Sequence, residues 1–133
     1  MTTNKQRLIY NAIRTPDGTV LVSRGVHDDK EYRDTVWGEE YMVDGGLEYI
    51  RRFVTKTPYE ELSVHIEDGV EAYRNLFTWG TYGKSGTEPL HFVALADMTT
   101  EHINAILDDH RSKRARVNPN VLAALEAELQ YRV

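Results

Sequence analysis

The stretch Thr15-Pro16-Asp17-Gly18 constrains the first part of this chain more than any other feature. Proline presets the dihedrals of a type I turn at its second position and glycine suits the fourth, so the chain reverses there. The flanking residues 7–14 and 19–24 are extended in character, the second segment being rich in Val and Leu, and they read as two antiparallel strands. A polar loop at residues 25–30 leads to a second hairpin, residues 32–37 with 41–43, turning near Gly38. Asp44-Gly45-Gly46 ends that strand, because paired glycines offer unusual dihedrals and no side chain to pack. Beyond it, Leu47, Ile50 and Val54 share one helical face and predict a short helix over residues 47–54.

Residues 62–67 alternate, with Leu62, Val64 and Ile66 facing one way and Ser63, His65 and Glu67 the other. That pattern predicts a half-buried antiparallel strand. Asp68 suits the N-cap of a helix whose inward face is Val70, Tyr73, Leu76 and Phe77, ending near Gly80. A loop of Gly, Thr and Ser spans residues 80–89, and the apolar strand 90–96 follows. Thr99 caps a helix with Ile103, Ile106, Leu107 and His110 on one face. Asn118-Pro119 opens the last helix, whose stripe is Leu122, Leu125 and Leu129. The expected fold is therefore α+β: an antiparallel sheet of about five or six strands, one helix mid-chain and two C-terminal helices. At 133 residues, with 41% apolar residues, the chain predicts one domain over residues 1–133 with a single core.

The absence of cysteine excludes disulfides, thiolate zinc sites and a cysteine nucleophile. The first seven residues are too polar for a signal peptide, and no apolar run approaches the ~20 residues of a membrane span. A cytoplasmic protein with no membrane partner is expected. The net charge of −5 argues against a long nucleic acid as partner. Yet Arg111, Lys113, Arg114 and Arg116 crowd together directly after Asp108 and Asp109, and Arg51 and Arg52 form a second basic pair. One compact basic stretch on an acidic chain suits a small anion.

Gly83-Lys84-Ser85 mimics the end of a phosphate-binding P-loop, but the full pattern needs glycine where Thr78 stands. The context is also inverted, since this loop is expected to leave a helix for a strand. A Walker-type NTPase is excluded. A simpler use remains, in which N–H groups freed by glycines join Lys84 in holding an anion; the other reading is a plain surface connection. Phe77 and Trp79 flank the loop, either as core or as an aromatic wall for a planar base. The five histidines lack metal-ligand spacing, and the neighbouring carboxylate pairs do not converge into an acid–base pair. No catalytic residue, metal or cofactor is expected. Arg111 and Arg114 offer a phosphate clamp, with a solvated linker as the alternative.

Four stretches, in order, carry a family resemblance. They are Thr15-Pro16-Asp17-Gly18-Thr19 with Ser23-Arg24 and His27-Asp28, then Tyr41-Met42-Val43-Asp44-Gly45-Gly46 with Arg51-Arg52. Phe77-Thr78-Trp79-Gly80 with Gly83-Lys84 and Pro89-Leu90 is the third, and His102-Ile103 with Ala105-Ile106-Leu107 the fourth. Together they resemble the first family of Thoeris anti-defence proteins, phage "sponges" that sequester cyclic ADP-ribose isomers made by bacterial TIR enzymes. The resemblance implies a non-catalytic protein of the infected host's cytosol, a dimer-based homo-oligomer of hexamer type with pockets at subunit interfaces. It also implies, for some members, separate sites for cyclic oligonucleotides. By position, Phe77 would stack on adenine, Thr87 would be the polar residue of the following loop, and Arg24 a phosphate-facing arginine with His27 nearby. The alternatives to sequestration are a small nucleotide-acting hydrolase and a phage protein-interaction module.

Overall fold

A computed structural model describes residues 6–53 and 57–133 of the chain. The architecture is α+β, with antiparallel sheets, a mid-chain helix and two C-terminal helices. Two compact units divide the chain, residues 1–65 and 66–133.

In the first unit, β1 (Leu8–Arg14) pairs antiparallel with β2 (Val20–Ser23) across the turn that Pro16 and Gly18 predict. Gly18 takes φ 91° and donates its N–H to the Thr15 carbonyl at 2.9 Å. β3 (Lys30–Arg33), β4 (Glu40–Asp44) and β5 (Arg51–Arg52) form a second sheet in that order. Alternation along β2 and β4 turns Leu21, Tyr41 and Val43 inward to join Ile13 of β1 in one buried cluster, with Tyr32 and Tyr59 packed against it. Tyr59 meets Tyr41 edge-on at 6.0 Å, a favoured aromatic geometry.

Two carboxylates tie the turns of this unit together. Asp34 is buried and accepts from the N–H groups of Asp17, Val36 and Trp37 at 2.7–3.0 Å. Asp17 accepts from Thr19, from the Tyr32 hydroxyl and from Thr35, and these donors hold its carboxyl far below the usual range.

The expected helix at 47–54 is not formed over its described part: a turn and strand β5 occupy it, and Val54 lies outside the described residues. The cause is non-local. Asn11 Nδ2 is buried and donates to the carbonyls of Asp44, Gly46 and Tyr49 at 2.9, 2.9 and 3.2 Å, which aims them inward. Gly45, at φ 102°, admits the fold-back, since a Cβ there would lie 2.0 Å from the Tyr49 carbonyl oxygen. The strand expected at 62–67 is also interrupted. Only β7 (Val64–His65) forms within it, with Ile66 and Glu67 entering a 3₁₀ turn, while β6 (Glu60–Glu61) lies just before it. Both pieces pair with β1, and the pairing with β7 shifts register between Leu8 and Tyr10. At the break the Ser63 hydroxyl accepts the Ala12 N–H at 3.2 Å, taking the place of a ladder carbonyl.

The second unit begins with a 3₁₀ turn (Ile66–Asp68) and the one-turn helix α1 (Val70–Tyr73), shorter than the inward face predicts. β8 (Thr78–Thr81) and β9 (His91–Ala94) make an isolated two-stranded hairpin. The helices α2 (Thr100–Arg111) and α3 (Pro119–Tyr131) follow, capped by the Thr99 hydroxyl and the Asn118 carboxamide as their sequences predict. α3 packs against α2 and α1. Its buried stripe is Val121, Ala124, Leu125 and Glu128, so Leu122 and Leu129 stand at the flanks of the inward face and only half-buried. No helix among the described residues is long and apolar enough to cross a membrane.

Candidate functional site

Helix α2 ends in a reversal that builds the most distinctive polar surface of the second unit. The Lys113 N–H donates to the His110 carbonyl at 3.0 Å, and the Arg114 N–H to the Asp109 carbonyl at 2.9 Å. These two bonds are a Schellman motif, and its left-handed position is Lys113, at φ 63°. Val117 is buried next along the chain, with its N–H on His110 Nδ1 at 3.3 Å, and Asn118 then starts α3. The reversal lines a cavity of about 530 Å³ with His110, Arg111, Lys113, Ala115 and Arg116. Three permanent cations and a histidine in one small concavity make a place for an anion.

The cations differ in how far they are already committed. Arg111 lies 3.5 Å from Asp108 and 3.9 Å from Glu126, while Arg114 Nε donates to Asp109 Oδ1 at 3.1 Å. Arg114 is not part of the cavity lining. Among the described residues, Lys113 and Arg116 have no carboxylate within ion-pair distance. The left-handed turn between Arg111 and Arg114 sends Arg114 back along α2, so the two arginines do not line the cavity together.

The loop of the β8–β9 hairpin is less suited to an anion than its glycines imply. It joins two strands, where the sequence predicts helix to strand. The N–H groups of Gly83, Gly86 and Glu88 are engaged, by Thr81 Oγ1, the Gly83 carbonyl and the Tyr82 carbonyl. The Glu88 carboxylate lies over Gly83, so close that a Cβ there would meet it at 1.9 Å. Lys84 and Thr87 are exposed, and Thr87 Oγ1 shares a hydrogen bond with Ser85 at 2.7 Å. Phe77 is 8% exposed and sits just before β8, its N–H on the Tyr73 carbonyl and its carbonyl taking the Leu95 N–H. Little of its ring is open to a base. Trp79 is half-buried opposite Val93.

Arg24 and His27 lie exposed in the first unit, on the turn after β2, where the Arg24 N–H donates to Asp28 Oδ2 at 2.9 Å. Among the described residues no group of three or more His, Asp or Glu is arranged to hold a metal ion.

One buried polar centre escapes the sequence reading. Glu128 is fully buried and takes a two-pronged contact from Arg74, with both bonds at 2.8 Å. Arg132 Nε adds a third bond at 2.7 Å. Arg132 also donates to the carbonyls of Leu95 and Met98 and to Thr100 Oγ1, so it fastens the end of β9 to the start of α2. Hydrogen bonds from Arg74, and then Arg132, outweigh the opposing effect of burial and hold the Glu128 carboxyl below its usual range. An acid in helical register with Val121 and Leu125 was the available signal, since such a position demands a cationic partner.

No family model matches the chain, and neither a curated protein nor a solved structure is significantly similar to it.

Proposed function

We propose that this chain binds a cyclic ADP-ribose isomer or a related cyclic nucleotide and holds it unchanged. It would thereby withdraw the signal from a TIR-based bacterial defence, as the Thoeris anti-defence proteins it resembles do. The observation that carries this reading is the basic cavity between α2 and α3. A diphosphate bears charge that Arg111, Lys113 and Arg116 complement, and arginine's planar fork matches phosphate oxygens in pairs. Trp79 offers a half-buried ring for adenine. Tyr82, Leu90 and Phe92 leave apolar surface exposed on the hairpin, and the reading assigns that surface to contact between copies in a homo-oligomer.

Calorimetric titration of cyclic ADP-ribose into the protein at low and high salt tests the reading. Binding is expected at low salt and should weaken as salt rises, because partly exposed phosphate contacts are screened. Absence of heat at both ionic strengths would refute it.

A further inference from the structure

We infer that Lys113 and Arg116, rather than Arg114, are the cations that grip a phosphate at the turn between α2 and α3. The inference rests on reading this cavity as an anion site and names its binding residues.

Two independent observations meet there. The first is conformational. Lys113 holds φ 63° at the helix-ending position where glycine carries no Cβ penalty. No glycine stands there, although the motif favours one. A backbone strain retained at a surface turn points to a use for the side chain it carries. The second is electrostatic. Lys113 and Arg116 line the cavity and, among the described residues, have no carboxylate beside them, whereas Arg114 turns away to Asp109. Arg111 joins the lining but already shares its charge with Asp108 and Glu126. The end of α2 also carries the negative pole of the helix dipole, which stabilises the cations locally but opposes a bound anion. Cations not already neutralised are therefore the ones that can tip the balance towards binding. A phosphate-bearing anion held by Lys113 and Arg116 together fits this distribution.

The test uses inorganic pyrophosphate as probe, followed by nuclear magnetic resonance of the turn amides, with Lys113→Gly, Arg116→Ala and Arg114→Ala. Lys113→Gly has two readouts of opposite sense. Its melting midpoint should rise, by about 2–8 °C for a unit of this size, while its affinity for pyrophosphate falls. A loss of about tenfold is expected for it and for Arg116→Ala, as for one charge-assisted hydrogen bond. Arg114→Ala should stay within about twofold of wild type, as an exposed, already paired cation would. Wild-type binding in both Lys113→Gly and Arg116→Ala overturns the inference, as does a loss confined to Arg114→Ala. A wild-type protein indifferent to pyrophosphate overturns it too. If cyclic ADP-ribose is retained at full affinity by both variants, the inference fails while the sequestration reading stands. If pyrophosphate binding depends on both residues but cyclic ADP-ribose is not retained, the sequestration reading fails and the inference stands.

Discussion

Glu128→Ala should destabilise the helical unit by about 3–5 kcal/mol, the cost of removing one partner from a buried ion pair. The side chain has no exposed surface, and its loss takes from Arg74 its carboxylate partner and from Arg132 the bond at Nε. All helices among the described residues lie in the second unit, so urea denaturation followed by helical circular dichroism reports on it. The same carboxylate sets an acid limit. Its pKa is lowered in the folded state, so its contribution is complete above the unfolded value, about 4.3, and disappears as pH falls through the lower folded value. Wild type should lose stability on acidification below about pH 4, and Glu128→Gln should start lower and show a flatter acid limb. An unchanged acid limb in Glu128→Gln would remove Glu128 as its source.

Phe77→Ala should cost about 3–5 kcal/mol of stability, as large-to-small substitutions in a packed interior do. Its side chain is buried in the second unit, and its backbone bonds to Tyr73 and Leu95. Phe77→Leu preserves most of the volume and separates packing from recognition. The variant is expected to fold and to bind cyclic ADP-ribose within about twofold of wild type, whereas loss of a stacked base would cost about 1–3 kcal/mol. A tenfold loss of affinity in folded Phe77→Leu would return the stacking role to this ring and take it from Trp79.

Local signals carried much of the fold. Pro16 and Gly18 set the first hairpin, and Thr99 and Asn118 set the starts of the two long helices, because each acts on its immediate neighbours. Contacts from afar decided the rest. Leu47, Ile50 and Val54 hold helical periodicity, yet Asn11, on a distant strand, captures the Tyr49 carbonyl and those of Asp44 and Gly46 just before the segment, and strand β5 forms instead. Ser63 breaks a strand by lending its hydroxyl to Ala12, which alternation of hydropathy cannot register. The basic site was legible as charge but not as geometry. Four cations at residues 111–116 are plain in the sequence, whereas a left-handed lysine, which sorts them into cavity and flank, leaves no trace in composition. Glu128 was hidden among leucines, and its partner Arg74 stands 54 residues away.

The most direct measurement of sequestration is release. The protein is mixed with cyclic ADP-ribose isomers produced by an activated TIR enzyme, freed of unbound nucleotide, and denatured by heat. Mass analysis of the released fraction should return the cyclic nucleotide at its original mass, in proportion to the protein present. A linear or hydrolysed product would make the chain an enzyme, and an empty fraction would leave it no part in holding this signal.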